Sequence, residues 1–325
     1  MSALLQVAGL GVVYRGGARP LVALEDVSFA LDAGESLGIV GESGSGKSTL
    51  ARAILGLVPP STGAVSWRGE PITGRDRRAL GAVRRELSVV FQNPATSLSP
   101  RRTVAQSVAE PLELHEPALG RSEVAMRVAA MLERVGLSSA LGARRPHELS
   151  GGQCQRVALA RAMITTPKLV ICDEPVSALD VSVQAQIVNL LRELGRDTGC
   201  GYLFISHNLA VVRQMATRAL VLYRGRLIED APGESLYRAP RHPYARLLIE
   251  TAPAFGRAPA ALAPPETASP FERAAGCGFA ARCRHAEAAC RAQPPALEAA
   301  DDGHRVACRR WREGVARVDF GTSLA

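Results

Sequence analysis

The chain has 325 residues, of which 47% are apolar, so it is long enough for about two domains with ordinary cores and is neither wholly disordered nor fibrous. No run of 18 apolar residues occurs, and the first residues lack the basic and apolar regions of a secretory signal, so we expect a cytosolic protein without a membrane-spanning helix. The formal net charge of +8 would suit nucleic acid or an anionic membrane face. No basic patch is interleaved with the 14 aromatic residues in the way that a single-strand stacking surface requires, and we interpret the charge as a solvated surface.

A glycine-rich loop near the N-terminus fits the phosphate-binding pattern GxxxxGK[ST]. Residues 36–40 before it read as a short buried strand and residues 48–57 after it as a helix, which is the context that the pattern requires. Backbone N–H groups and a helix N-terminus surround a triphosphate in such loops. We therefore expect Lys47 to reach the β- and γ-phosphates and the Ser48 hydroxyl to bind Mg²⁺. The other loop residues expected to contact ATP are Gly41, Ser43, Gly44, Ser45, Gly46 and Thr49.

A second apolar strand ends in two carboxylates. Residues 169–172 read Leu-Val-Ile-Cys, and Asp173 and Glu174 follow them. Ligands of α/β sheets bind beyond the carboxyl ends of the strands, so these acids are expected beside the phosphates. We expect Asp173 to hold Mg²⁺ and Glu174 to deprotonate the water that attacks the γ-phosphate.

Between these motifs, residues 149–153 read Leu-Ser-Gly-Gly-Gln and lead into a helical stretch. With this motif the chain resembles the ATP-binding-cassette (ABC) ATPases. The resemblance implies an α/β fold with a P-loop NTPase (RecA-like) core, an antiparallel β subdomain and an inserted helical subdomain at about 95–156. It also implies a dimer in which one subunit closes over the ATP of the other through a helix N-terminus. The closing residues would be Ser150, Gly151, Gly152 and Gln153.

The resemblance implies further site residues. Tyr14 would stack on adenine, and Gln92 would contact Mg²⁺ and the attacking water. Asp180 would help to join the two sites across the dimer. His207 would contact the γ-phosphate.

Two further segments resemble the oligopeptide and dipeptide importer branch of this family. One is the run NPATSLSPRRTV at 93–104, and the other is ESLYRAPRHPY at 234–244, in which Pro243 predicts the start of a short helix running to Ile249. Each nucleotide-binding motif occurs once, which is typical of a single cassette that pairs with a second chain.

The sequence predicts an ATPase domain over 1–250, an Ala/Pro-rich linker over 251–270 and a small extension over 271–325. Four of the seven cysteines fall within 32 residues of the extension, and such clustering indicates a shared ligand. Their spacing is wider than that of typical zinc pairs and permits an iron–sulfur cluster. Similar tails in the peptide-importer branch carry such a cluster, so the resemblance favours 4Fe-4S, while zinc and free thiols stay alternatives. The four ligands would be Cys277, Cys283, Cys290 and Cys308, with His285 and His304 in reserve.

Together these features predict the ATP-hydrolysing subunit of an ABC importer for di- and oligopeptides. It would lie peripherally on the cytoplasmic face of the cell membrane, bound to two permease subunits and to a second, homologous ATPase, with an extracytoplasmic solute-binding protein in the complex. Nickel, antimicrobial peptides or opines are alternative cargoes. A soluble ABC ATPase acting on nucleic acid or ribosomes is a remote alternative, and we expect no nucleic-acid partner.

Overall fold

The computed structural model describes residues 3–16, 20–75, 80–252, 275–300 and 303–316. Internal contacts divide the chain into two units. The first comprises Met1–Leu31, Ser36–Gly74 and Ile205–Ala325, and the second comprises Asp32–Glu35 and Arg75–Phe204. The predicted linker lies outside the described residues from position 253 onward.

The N-terminal part of the first unit consists mainly of strands. They and one helix are β1 (Leu5–Tyr14), β2 (Leu21–Leu31), β3 (Ser36–Val40), α1 (Lys47–Ile54), β4 (Thr62–Trp67) and β5 (Glu70–Pro71). Four of the strands form an antiparallel sheet in the order β2-β1-β4-β5. Along β2, Val27, Phe29 and Leu31 are buried and alternate with more exposed residues, the period that places one face of a sheet on a core. This sheet confirms the predicted antiparallel β subdomain.

The second unit contains most of the long helices. Its elements are α2 (Gly81–Glu86), β6 (Leu87–Val90), α3 (Pro94–Ser97), α4 (Val104–His115), α5 (Arg121–Arg134), α6 (Gly151–Met163), β7 (Leu169–Asp173), α7 (Val181–Thr198) and β8 (Gly201–Ile205). β6 and β7 pair in parallel, and β8 is the other neighbour of β7. All five residues of β7 are buried, as expected for a parallel strand covered on both faces. In α5 the apolar side chains of Val128, Met131 and Leu132 are buried along one face, as in an amphipathic helix.

The first unit resumes after β8. Its remaining elements are α8 (Leu209–Met215), β9 (Arg218–Tyr223), β10 (Arg226–Pro232), α9 (Gly233–Arg238), α10 (Pro243–Thr251), α11 (Ala288–Ala292), β11 (Glu298–Ala299) and β12 (Arg305–Val306). The strand order in this unit is β11-β12-β10-β9-β3, with β3 and β9 parallel and the other pairs antiparallel. The helix predicted to start at Pro243 is present. It ends at Thr251 rather than Ile249, so the first residue assigned to the linker is helical.

The described part of the C-terminal extension is built into the first unit. β12 pairs with β10 through Glu229↔Val306 and Asp230↔Arg305. The Phe279 ring lies 5.6 Å from that of Tyr223 and 5.5 Å from that of Tyr244, centroid to centroid. Strand pairing and ring packing therefore fix the extension to the β9–β10 edge.

Across the described part of the chain, none of the helices combines the length and the hydropathy needed to cross a bilayer.

Candidate nucleotide-binding site and cysteine pocket

The phosphate-binding loop has the strand, loop and helix order that the sequence predicts. β3 ends at Val40 and α1 begins at Lys47. Gly46 caps α1 with a φ of 107°, and a Cβ there would lie 2.6 Å from the Ala23 carbonyl oxygen, so only glycine fits. Gly46 has no side chain that could accept from the first N–H groups of α1. The positive end of the helix therefore faces the loop without a side-chain cap from this residue, as a phosphate-binding helix requires.

The Lys47 ammonium is held by the loop itself. Its Nζ donates to the carbonyl oxygens of Gly41 and Glu42, both at 2.8 Å, and the residue is only 5% exposed. Lys47 therefore lies inside the curve of the loop, where a phosphate oxygen would replace a carbonyl oxygen as its acceptor.

Two other predicted residues of the first unit lie near this loop. The Tyr14 hydroxyl is 3.4 Å from the Thr49 hydroxyl in the first turn of α1. His207 is exposed and follows Ser206, whose backbone N–H donates to the Ile39 carbonyl at 3.1 Å. Tyr14 therefore lies beside the first turn of α1, and His207 directly follows a residue that is hydrogen-bonded to β3.

The catalytic candidates of the second unit lie at the end of β7. Asp173 is the last residue of the strand and is buried. Glu174 follows with a φ of 49°, in the left-handed region that few non-glycine residues adopt. The Gln92 amide donates to a Glu174 carboxylate oxygen at 3.1 Å. The structure therefore brings together Gln92 and Glu174, which are 82 positions apart.

The Leu-Ser-Gly-Gly-Gln motif forms the start of α6. The Ser150 hydroxyl oxygen accepts from the Gln153 N–H at 3.3 Å, and the Gln153 amide oxygen accepts from the Ser150 N–H at 2.9 Å. This capping box leaves the Ser150 hydroxyl proton able to donate to another acceptor. Gly151 and Gly152 form the first turn. In the same unit Asp180 caps α7 by accepting from the Val183 N–H at 2.9 Å.

All four clustered cysteines line one small cavity in the first unit. Apolar residues, among them Pro243, Phe279 and Val315, make up much of its remaining wall. The backbone N–H of Cys277 donates to the Cys290 carbonyl at 2.7 Å, which fixes two of the four relative to each other. Burial raises the pKa of Cys308 to about 12 and also raises the pKa values of Cys277 and Cys283. Metal binding at these thiols would therefore release protons.

The two histidines named as reserve ligands have different positions. His285 lines the cysteine cavity. His304 is instead buried against Glu229, with its Nε2 2.6 Å from a carboxylate oxygen. Among the described residues, no three His, Cys, Asp or Glu side chains are gathered closely enough to hold a single metal ion. The other three cysteines, Cys154, Cys172 and Cys200, are buried, as expected for small apolar residues.

Sequence reasoning missed three residues around the loop. Glu42 has its N–H bound to the Tyr244 hydroxyl at 2.7 Å and its carboxylate bound to the Arg282 guanidinium at 2.8 and 3.0 Å. These partners lie 202 and 240 positions away, beyond the reach of any local periodicity. The one sequence signal was that Tyr244 belongs to the His-Pro-Tyr segment.

The fold and the motifs define an ABC-type ATPase. The ABC transporter family profile matches residues 24–177, and that of the oligopeptide/dipeptide transporter C-terminal region matches residues 228–290. The chain belongs to the ABC transporter family, in the group of ATP-binding proteins that includes OppF and DppF.

Relatives match along nearly the whole chain. It is 42% identical to the oligopeptide transport ATP-binding protein OppF of Haemophilus influenzae, over 94% of this chain and 96% of that protein. It is 44% identical to the di/tripeptide transport ATP-binding protein DppF of Pseudomonas aeruginosa, over 91% of this chain and 92% of that protein.

Solved structures confirm the fold. The ATP-binding cassette MJ0796, a dimer in a post-hydrolysis state bound to ADP and Pi, is 30% identical with a TM-score of 0.65, covering 70% of this chain and 98% of that one. CbiO1 from Clostridium perfringens, part of the transporter complex CbiONQ, is 29% identical with the same TM-score, covering 73% of this chain and 91% of that one.

Proposed function

We propose that this chain binds and hydrolyses ATP to energise the uptake of di- and oligopeptides by an ABC importer. The observation that carries the ATPase part is the strand, loop and helix over 36–54, with Lys47 buried inside the loop. The peptide part is supported by relatives named for oligopeptide and di/tripeptide transport and by the match to the transporter C-terminal region.

The residues of the first unit would bind the nucleotide. Tyr14 would stack on adenine, Lys47 would bind the β- and γ-phosphates, and His207 would contact the γ-phosphate. The loop residues Gly41, Ser43, Gly44, Ser45, Gly46 and Thr49 would supply backbone and side-chain donors to the phosphates.

The residues of the second unit would act on the attacking water. Glu174 would accept its proton, and Gln92, which already donates to the Glu174 carboxylate, would orient the water and contact Mg²⁺. Ser48 and Asp173 offer the hard oxygen ligands that Mg²⁺ prefers. The ion would neutralise charge on the phosphates during transfer.

Two variants test the ATPase assignment. Glu174→Gln should bind ATP normally and hydrolyse it at least a hundredfold more slowly, because general base catalysis contributes about 10²–10⁴-fold. Lys47→Ala should weaken ATP binding itself. Lys168→Ala is the control, since Lys168 is the other lysine of the chain and lies outside the site motifs. Rapid turnover by Glu174→Gln would remove that residue from catalysis.

The active form would be a dimer. Ser150, Gly151, Gly152 and Gln153 would close over the ATP of a second, homologous subunit, and Asp180 would help to join the two sites. Two permeases would hold this pair on the cytoplasmic face of the membrane, and a solute-binding protein outside would deliver the peptide.

Gentle detergent extraction from the native membrane without oxygen, followed by mass spectrometry, tests these partners. Two permeases and a second single-cassette ATPase are the expected companions of the chain. If the chain is recovered with ribosomes or nucleic acid instead, the ATPase assignment stands and the transport role is overturned.

The four cysteines would bind a 4Fe-4S cluster that stabilises the fold of the extension. Support comes from the donor set, because four thiols share one largely apolar cavity. A single zinc ion needs all of its sulfurs about 2.3 Å from one point, whereas the thiolates of a cluster bind its separate irons. The wide sequence intervals between the four cysteines also permit the bulkier cluster.

Anaerobic purification with iron and sulfide analysis tests the cluster. About four irons per chain are expected, lost in Cys308→Ser and kept in Cys154→Ser, a buried cysteine outside the cavity. One zinc per chain, or no metal at all, would overturn this part.

A further inference from the structure

Glu42, the second residue of the phosphate-binding loop, is held at all of its polar groups. Its N–H donates to the Tyr244 hydroxyl at 2.7 Å, and its carbonyl accepts from Lys47 at 2.8 Å. Its carboxylate accepts two parallel hydrogen bonds from Arg282, at 2.8 and 3.0 Å. The residue that supports the loop lysine is thus fixed by two residues of the C-terminal region.

Arg282 is itself rigidly placed. Its backbone N–H donates to the Phe279 carbonyl at 3.0 Å, and its guanidinium lies 5.5 Å from the Phe279 ring centroid. The Arg282 side chain is 12% exposed, against 35% for that of Glu42. The neighbouring residue, Cys283, lines the cysteine cavity. A bidentate pair in which one partner is mostly covered and packed fixes geometry far better than an exposed ion pair does.

The loop needs such support because of its composition. Ser43 and Gly44 are exposed, Gly44 has a φ of 80°, and nothing lies within 4 Å of where its Cβ would be. A glycine-rich segment loses much conformational freedom when it closes on a ligand. Fixing one end of the loop in advance reduces that cost and favours phosphate binding.

We propose that Arg282 is a positioning residue for ATP binding, which acts through Glu42 to hold the phosphate-binding loop and Lys47 in their binding geometry. The role rests on the proposed ATPase function. The extension would therefore act directly on the nucleotide site through Arg282, in addition to any metal binding by its cysteines.

Replacement of Arg282 should change the affinity for MgATP rather than the rate of the hydrolysis step. Arg282 binds Glu42 of the loop, whereas Gln92 and Glu174, which are proposed to activate water, bind each other. Its loss should raise the KM and Kd for MgATP about tenfold, the size of one charge-assisted hydrogen bond, and change kcat less than threefold. Arg282→Lys, which keeps the charge but not the two-pronged geometry, should recover part of the affinity.

The experiment measures the MgATP affinity of the full chain, and steady-state hydrolysis by the chain together with its partner ATPase, in four forms: wild type, Arg282→Ala, Glu42→Gln and the double variant. Because both single variants break one interaction, their effects on affinity should be strongly non-additive. The control is Arg213→Ala, which breaks a similar bidentate pair with Glu234, at 3.0 and 3.1 Å, in the same unit. That variant should bind ATP like the wild type.

Each other outcome has a distinct meaning. Wild-type affinity in Arg282→Ala, additive effects of the two single variants, or an equal loss in Arg213→Ala would overturn the proposal. Failure of the wild-type chain to bind ATP would instead overturn the proposed function. Urea unfolding of every variant, together with the partial rescue by Arg282→Lys, separates loss of positioning from loss of fold.

Discussion

Replacement of His304 by alanine should destabilise the first unit strongly. The Glu229 carboxylate is fully buried and has three donors: His304 Nε2 at 2.6 Å and the N–H groups of Arg241 and His242, both at 2.7 Å. Among the described residues, His304 is the side-chain donor of this carboxylate, so His304→Ala leaves it with the two backbone donors. Breaking a buried pair in this way costs about 3–5 kcal/mol. The two remaining donors place the expected loss near the lower limit, at about 3 kcal/mol.

Urea unfolding of the full chain measures this loss. His304→Gln, which can still present an N–H donor, should recover at least half of it. The control is His147→Ala, an exposed histidine outside this cluster, with an expected change within about 0.5 kcal/mol. A His304→Ala chain within about 1 kcal/mol of the wild type would refute the reasoning, because it would mean that Glu229 gains little from its buried partner.

Three further variants test individual contacts of the site. Tyr244→Phe removes the acceptor of the Glu42 N–H and should lower stability by about 1–3 kcal/mol and raise the KM for ATP; an unchanged KM would contradict the anchoring role. Gly46→Ala should abolish ATP binding, since a methyl group there would press on the Ala23 carbonyl at 2.6 Å, and calorimetric detection of normal binding would contradict this steric reasoning. Ser150→Ala removes the cap of α6, which should lower stability by about 1 kcal/mol, and it should abolish ATP turnover. ATP binding to the isolated chain should stay normal, because Ser150 would act on the partner's nucleotide. Weakened ATP binding by the isolated variant would argue against action across a dimer.

The local elements around the nucleotide site could be predicted from the sequence because short-range patterns determine them. β3 and β7 are short apolar runs with loop residues after them, and α6 is capped by Ser150, with Gln153 three residues later. The contact between Gln92 and Glu174 was not itself predicted, although both residues were assigned to the attacking water, because no spacing rule joins residues 82 apart.

The tertiary role of the extension could not be predicted in the same way. Four clustered cysteines indicated a shared ligand, and the structure places all four around one cavity. The pairing of β12 with β10 depends on two-residue segments too short to carry a periodic signal. His304 could be noted as a possible ligand from its residue type alone. Its burial against Glu229 depends on a strand pairing that brings together residues 75 positions apart.

Each residue of the His-Pro-Tyr segment has a distinct structural role. Burial lowers the pKa of His242 to about 3, so its ring stays neutral and Nδ1 can accept from the Tyr244 N–H at 3.0 Å, capping α10. Pro243 takes the first helical position, where its fixed φ is favourable and no N–H is required. The helix thus placed carries the Tyr244 hydroxyl to the backbone of Glu42.

If the extension holds the loop through Arg282, damage to the cysteine cavity should reach the ATP site by the same contact. Cys283→Ser changes a residue that lines the cavity and neighbours Arg282 in sequence. It should therefore raise the Kd for MgATP, by at most the effect of Arg282→Ala, and should add nothing in a chain that already carries Arg282→Ala. The comparison needs only equilibrium ATP titrations of the two single variants and the double variant. A further loss of affinity in the double variant would mean that the cavity influences the nucleotide by a route that does not pass through Arg282.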